Sequence, residues 1–154
     1  MKAVIQRVKE ASVIADGVFS GACKQGLFIL LGVTQGDTEI EALALAEKIA
    51  KLRIFSDENG KMNLSCQDID GEALVVSNFT LNANYAKGNR PDYFGSAHPE
   101  IANELYLKFV SYLKERIRHV GTGVFGADMQ ISTVCDGPVT ICMDSEVLNR
   151  GSKK

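Results

Sequence analysis

The sequence has no tryptophan, two histidines, three prolines and four cysteines in 154 residues. His98 and His119 stand at no ligand spacing from each other or from a cysteine, so no zinc signature can be assembled. Neither lies in a motif with a serine, cysteine or carboxylate, and nothing in the sequence supports a Ser-His-Asp or Cys-His machine. Cys23, Cys66, Cys135 and Cys142 include no C-x-x-C and sit in apolar or turn contexts. They read as reduced, mostly buried thiols of a cytoplasmic protein. No apolar run reaches membrane-span length, and Met1-Lys2-Ala3-Val4-Ile5 opens a strand pattern, so no leader or span is expected. Charge of one sign is missing too: 17 Lys and Arg against 19 Asp and Glu leave a net charge of -2. That excludes global attraction to nucleic acid and leaves room only for a small, local RNA contact.

What is present is the composition of an ordinary globular domain, 45% hydrophobic and 23% charged. A single domain of this length buries about two thirds of the surface its unfolded chain exposes. Residues 2–15 alternate as a strand, and Asp16-Gly17 is a hairpin signal into Val18-Phe19-Ser20. Gly26 opens Leu27–Val33, an apolar run suited to a strand buried on both faces. Thr38 and Glu41 form a capping box for a helix with Ala42, Leu45, Ala46, Ile49 and Leu52 on one face. Arg53–Ser56 and Met62–Leu64 flank the turn Asp57–Gly60. Residues 73–81 read as a strand whose apolar continuity breaks at Ser77-Asn78, and 82–98 as a long loop of the kind usually reserved for function. Pro99 starts a second helix with Ile101, Leu105, Phe109 and Tyr112 as its buried face and Gly121 as its end. From Ser145 a polar, frayed tail is expected. The fold class is α+β, a single domain: a mostly antiparallel, barrel-like core of short strands with two amphipathic helices.

The chemistry concentrates in two segments. In Gly121–Thr140 a glycine-rich turn leads to a strand with Met129, Ile131 and Thr133 at period two, then to the corner Asp136-Gly137-Pro138, after which Val139–Met143 runs back as another strand. Glycine and proline together make a corner that is rigid and presents bare carbonyls, although an ordinary hairpin turn has the same spacing. Gly121–Gly126 matches G-x-G-x-x-G, but the expected order is helix before and strand after, the reverse of a dinucleotide fingerprint. Ser77 and Thr80 carry hydroxyls with no visible base, and on one strand they point to opposite faces. Lys87 and Arg90 are basic loop residues able to meet phosphate or simply solvated.

Ser77-Asn78-Phe79-Thr80-Leu81 resembles the Ser-Gln-x-x-(Gln/Leu) motif of D-aminoacyl-tRNA deacylases, and Asp136-Gly137-Pro138-Val139-Thr140 their Gly-cisPro motif. Matches at Ile5–Val8, Gly32–Thr34, Leu52–Phe55, Lys61–Leu64, Arg90-Pro91 and Thr122–Met129 extend the resemblance over residues 1–144, the deacylase-like domain, with 145–154 as tail. It implies a cytoplasmic homodimer, with no cofactor or metal, that hydrolyses the ester of a D-amino acid or glycine to the 3′-terminal adenosine of tRNA. It acts on neither DNA nor membrane. By the same resemblance, the Gly137 and Pro138 carbonyls, inserted from the partner subunit and oriented by Arg7, would reject L side chains. Ser77, Asn78, Phe79 and Thr80 form the catalytic segment, with backbone N–H groups near Phe79 and Thr80 as oxyanion donors and the ribose 2′-OH assisting. Ala102, Phe125 and Met129, with Ser77, line the pocket. A Thr80 nucleophile and a non-catalytic tRNA-end-binding module are the alternatives. Two positions depart from the pattern: Asn78 where Gln is usual, and Cys135 where many members have Asn.

Overall fold

Strand β1 (Lys2–Ala15) organises the sheet. Its alternation buries Ala3, Ile5, Val8, Ala11 and Val13. Asp16 and Gly17, at φ of 48° and 81°, fold it tightly into β2 (Val18–Cys23), the geometry of a two-residue hairpin turn. The computed structural model describes residues 1–151. The first half of β1 pairs antiparallel with β3 (Gly26–Gly32), the second half with β2, and nearly the whole length with β8 (Met129–Asp144). β3 continues in parallel to β6 (Glu72–Ser77), and β6 to β7 (His119–Thr122). Parallel neighbours need crossovers. The first contains α1 (Glu39–Ala50) and the hairpin of β4 (Phe55–Ser56) and β5 (Met62–Leu64); the second contains α2 (Pro99–Lys114). The sheet bends nearly into a barrel, because β7 comes back against β2. A Cβ on Gly21 would lie 2.5 Å from the Thr122 carbonyl oxygen, and one on Gly121 2.5 Å from that of Ala22, so only glycine permits this approach. Ser20 Oγ donates to the Thr122 carbonyl (2.9 Å) across the seam. The fold is the expected α+β, and β3 is buried as its apolar run requires.

α1 begins as its capping box dictates, with the Thr38 N–H donating to Glu41 at 2.8 Å. Leu45, Ile49, Phe109 and Leu113 close over Leu27, Ile29 and Leu31 to form the main core.

Five details differ from the sequence reading. The strand expected over 73–81 ends at Ser77, and Phe79–Asn82 is a 3-10 turn. Asn78 causes this: its side chain accepts from the Thr80 N–H (3.1 Å), a local bond that competes with strand pairing. The opposite-face argument for Ser77 and Thr80 therefore lapses. The buried face of α2 is Leu105, Tyr106, Phe109, Val110 and Leu113, while Ile101 is 53% exposed and Tyr112 half-buried. Its first turn lies beside a cleft that Pro99 and Ala102 line, which leaves Ile101 facing outward. The helix stops at Lys114 rather than Gly121, since Ile117 and Val120 are drawn into the core as the chain enters β7. Both halves of the segment around Gly137-Pro138 pair with β1, so the chain does not turn back there. Finally, Ser145–Gly151 forms a helix, α3, where a frayed tail was expected. Ser145 is buried: its N–H donates to the Met1 carbonyl and its hydroxyl accepts from the Met1 amino group. The rest of the tail, 152–154, lies outside the described residues.

Candidate active site

A cleft of about 730 Å³ opens where the end of β6, the 3-10 turn, the first turn of α2 and the β7–β8 connection meet. It gathers six residues singled out from the sequence: Ser77, Asn78, Phe79, Ala102, Phe125 and Met129. Thr80, Arg7, Gly137 and Pro138 are not on its lining. The G-x-G-x-x-G stretch begins in the last two residues of β7 and continues into the connection to β8, so a strand rather than the expected helix leads into it and no helix N-terminus is available to a pyrophosphate.

The wall from Ser77 to Asn82 is held at several points. Asn78, at the N-cap, donates its backbone N–H to the Leu31 carbonyl (2.8 Å) and accepts on Oδ1 from both the N–H and the hydroxyl of Thr80. Asparagine is a strong N-cap residue because its short side chain reaches just this N–H. Asn82 is buried at the other end of the turn. Its Nδ2 donates to the Val33 carbonyl (2.8 Å) and to Ser96 Oγ (3.3 Å), and its Oδ1 accepts from the Thr34 hydroxyl (3.2 Å). Ser96 Oγ in turn donates to the Phe79 carbonyl (3.2 Å). β3, the turn and the long loop are thereby tied around one amide. At the first position of the turn, the Phe79 N–H has no intrahelical acceptor.

The opposite wall is aromatic. Tyr106 packs against Phe125 (ring centroids 6.2 Å apart) and donates its hydroxyl to the Val75 carbonyl at 3.0 Å. Burial pushes the Tyr106 phenol up to about 12, so it stays a neutral donor. On the Ser77–Asn82 wall, Phe79 meets Tyr93 of the long loop edge to face at 5.0 Å. His98 and Asp128 also stand on the lining. Neither is hydrogen-bonded to Ser77 or Thr80 among the described residues. Thiols offer no substitute, since no cysteine lines the cleft: burial raises Cys23 to about 11 and Cys66 to about 12, while Cys135 and Cys142, expected to be mostly buried like the others, are exposed on β8. The described residues contain no cluster of three or more His, Cys, Asp or Glu able to hold a metal ion. The cleft can bind, orient and donate hydrogen bonds, but it presents no activated side-chain nucleophile.

The second segment lies apart from the cleft. Between Val8 and Gln6, two steps of β1 face five of β8, from Cys135 to Thr140. The surplus bulges outward, as extra residues in a ladder do. Gly137 and Pro138 sit exposed at its tip, joined by a cis peptide bond. A Cβ on Gly137 would lie 2.8 Å from the Val139 nitrogen, so a side chain there would disturb the corner. Arg7, 14% exposed, fixes the base of the bulge. Its Nε donates to the Asp136 carbonyl (2.8 Å) and lies 3.2 Å from the Asp136 carboxylate, while Nη1 donates to the Ile54 carbonyl at 2.6 Å.

A family profile described as D-Tyr-tRNA(Tyr) deacylase matches residues 4–144. The chain belongs to that family. Among curated relatives, a D-aminoacyl-tRNA deacylase of Dictyoglomus turgidum is 49% identical over all of this chain and 99% of that protein. One of Roseiflexus castenholzii is 56% identical over 96% of this chain and 94% of that protein. Among solved structures, a c-Myc DNA unwinding element binding protein superposes with a TM-score of 0.87 at 41% identity, covering 94% of this chain and 98% of that one. A probable eukaryotic D-amino acid tRNA deacylase shares the fold, with a TM-score of 0.78 at 13% identity.

Several residues of this deacylase-family cleft escaped the sequence reading: Tyr93, Phe94, Ser96, His98 and Tyr106 on its lining, and Asn82 behind it. Asn82 and Ser96 act through contacts 14 residues apart, for which no local pattern exists. Tyr106 had a usable signal, since an aromatic four residues before a helix-face position such as Val110 falls on the same stripe.

Proposed function

We propose that this protein hydrolyses the ester between a D-amino acid and the 3′-terminal adenosine of tRNA, and removes glycine mischarged on tRNA(Ala), in the cytoplasm. The observation that carries the reading is the cleft's chemistry within this family: orienting walls and a preorganised backbone donor, without a nucleophile–base pair. An aminoacyl ester is already activated, so holding the carbonyl and stabilising its oxyanion is the main requirement. Water adds to the carbonyl carbon, the bond to O3′ breaks, and the proton passes to O3′ with the ribose 2′-OH beside it to assist. The Phe79 N–H faces the developing oxyanion, and Ala102, Phe125 and Met129 surround the adenosine and the aminoacyl group.

The exposed corner supplies selection in trans. β8 is a 16-residue strand whose outer edge pairs with nothing among the described residues, and it exposes Ile131 and Val134. Long apolar edge strands are normally covered, and a second copy of the chain is the cover proposed. In that homodimer the partner's Gly137 and Pro138 carbonyls enter the cleft and hold the substrate's α-amino group, leaving no space for an L side chain.

The deciding experiment is release of tyrosine from D-Tyr-tRNA and from L-Tyr-tRNA, with wild type beside a Gly137→Ala/Pro138→Ala variant. Rapid release from the D ester alone, with activity or chirality lost in the variant, is expected. Binding of tRNA ends without release from either ester would instead indicate a non-catalytic end-binding module.

A further inference from the structure

The long loop is a built arm. Asn84 and Asp92 exchange both backbone hydrogen bonds (2.8 and 3.0 Å), and Asn84 Nδ2 donates to the Asp92 carboxylate at 2.9 Å. Asn84 Oδ1 also accepts from the Ala86 N–H and Asp92 Oδ1 from the Phe94 N–H. Below this closure, the Ser96 bridge to Thr34 and the Asn82 amide anchor the arm to the end of β3. None of these bonds is required to close a solvated loop, and together they fix what the arm displays.

It displays aromatics interleaved with cations. Tyr85 is 79% exposed and Phe94 87%, one on each side of the Asn84–Asp92 closure, and Phe94 lines the cleft together with Phe79. Lys87 and Arg90, both exposed, form no ion pair among the described residues, whereas Arg116 and Arg118 are each paired. The one carboxylate in the arm, Asp92, is engaged by Asn84. On a chain of net charge -2, these two cations stand in the loop whose C-terminal end, Tyr93 and Phe94, lines the cleft. Arg90 lies three residues from Tyr93, so their Cα atoms are within about 11 Å. Single exposed aromatics mean little. Base-stacking faces alternating with unpaired cations, continuous with a cleft, are what single-stranded nucleic acid requires.

We propose that the arm Asn84–Asp92 binds the single-stranded nucleotides preceding the terminal adenosine, Lys87 and Arg90 meeting backbone phosphates and Tyr85 stacking on a base. The inference rests on the tRNA-ester reading and adds a subsite to it. Affinity for a tRNA end then depends on the arm, whereas the chemistry at the terminal ester does not.

The test compares D-tyrosyl-tRNA with D-tyrosyl-adenosine, which has no upstream nucleotide, for wild type, Lys87→Glu/Arg90→Glu and Tyr85→Ala. On the tRNA ester, kcat/KM is expected to fall by about tenfold or more for the charge reversal and about fivefold for the tyrosine variant. On D-tyrosyl-adenosine every variant stays within about twofold of wild type, because that substrate cannot reach the arm. In Lys87→Ala/Arg90→Ala, the slope of log kcat/KM against log salt becomes shallower by about 1.4, two single-strand phosphate contacts' worth. Equal losses on both substrates, or none on the tRNA ester, overturn the proposal. If wild type releases tyrosine from neither ester, the deacylase reading fails and the arm is judged by fluorescence anisotropy with an uncharged acceptor-stem hairpin. Weakened binding of the hairpin with a 3′ overhang, but not of its blunt counterpart, upholds the arm; equal effects on the two hairpins overturn it.

Discussion

The Ser77–Asn82 wall and the Gly137-Pro138 corner are the two segments proposed to act on the ester, yet they are held in opposite ways. The wall is assembled within one chain: a cap at one end, a buried amide at the other, and β3, the turn and the arm tied between them. The corner is displayed. It bulges from an edge strand, has Gly137 and Pro138 in solvent, and is fixed by Arg7 at its base. A wall that orients the ester is best made by the chain that binds it. A selector that must enter another cleft has to project and still be rigid. The contrast predicts that the corner depends on one side chain, and the wall on a distributed network.

The sharpest way to break the comparison is Arg7→Ala. It removes the donor to the Asp136 and Ile54 carbonyls and leaves the bulge free to shift. A shift of about 1 Å in a positioning element can cost about a hundredfold in rate, and that is the expected fall in kcat/KM on D-Tyr-tRNA. Arg7→Lys keeps the charge but has no second donor arm for Ile54, so it should fall between alanine and wild type. Full activity in Arg7→Ala would mean the corner is fixed by something else.

Asn82→Leu tests the distributed side. The substitution keeps the branched shape but abandons the Val33 carbonyl and the Thr34 and Ser96 hydroxyls. Leaving buried polar groups without partners should lower unfolding free energy by about 2 kcal/mol in urea titration. Because the Asn78 cap still holds the start of the turn, the loss in kcat/KM should be only about tenfold, smaller than for Arg7. A destabilised protein with unchanged turnover would show that the wall does not rely on Asn82 for its position.

Much of the fold was legible because its determinants are local. The alternation of β1, the Asp16-Gly17 turn, the Thr38–Glu41 capping box and Pro99 at the helix start each lie within a few residues. What was misread is set by distant partners. Whether the chain turns back at Pro138 or continues past it depends on both halves pairing with β1, more than 120 residues away. The polar break at Ser77-Asn78 was visible as a break, but its meaning, a side-chain cap that ends the strand, required the 3-10 turn beyond it. Six cleft residues were named from motif resemblance and do meet in space, whereas Asn82 and Ser96 are joined only by tertiary structure.

The smallest expected effect also bears on mechanism. The Thr80 hydroxyl is directed to Asn78 Oδ1 and away from the cleft lining, and that same oxygen keeps the Thr80 N–H as a second donor. Thr80→Ala therefore removes one exposed hydrogen bond from a cap that survives without it, a loss of about 0.5–1 kcal/mol at most. If the wall acts through its backbone, single-turnover release from D-Tyr-tRNA should stay within about threefold of wild type, with D-over-L selectivity intact. A fall of several orders of magnitude would restore Thr80 as the nucleophile. The wall would then differ from the corner in its chemistry as well as in how it is held.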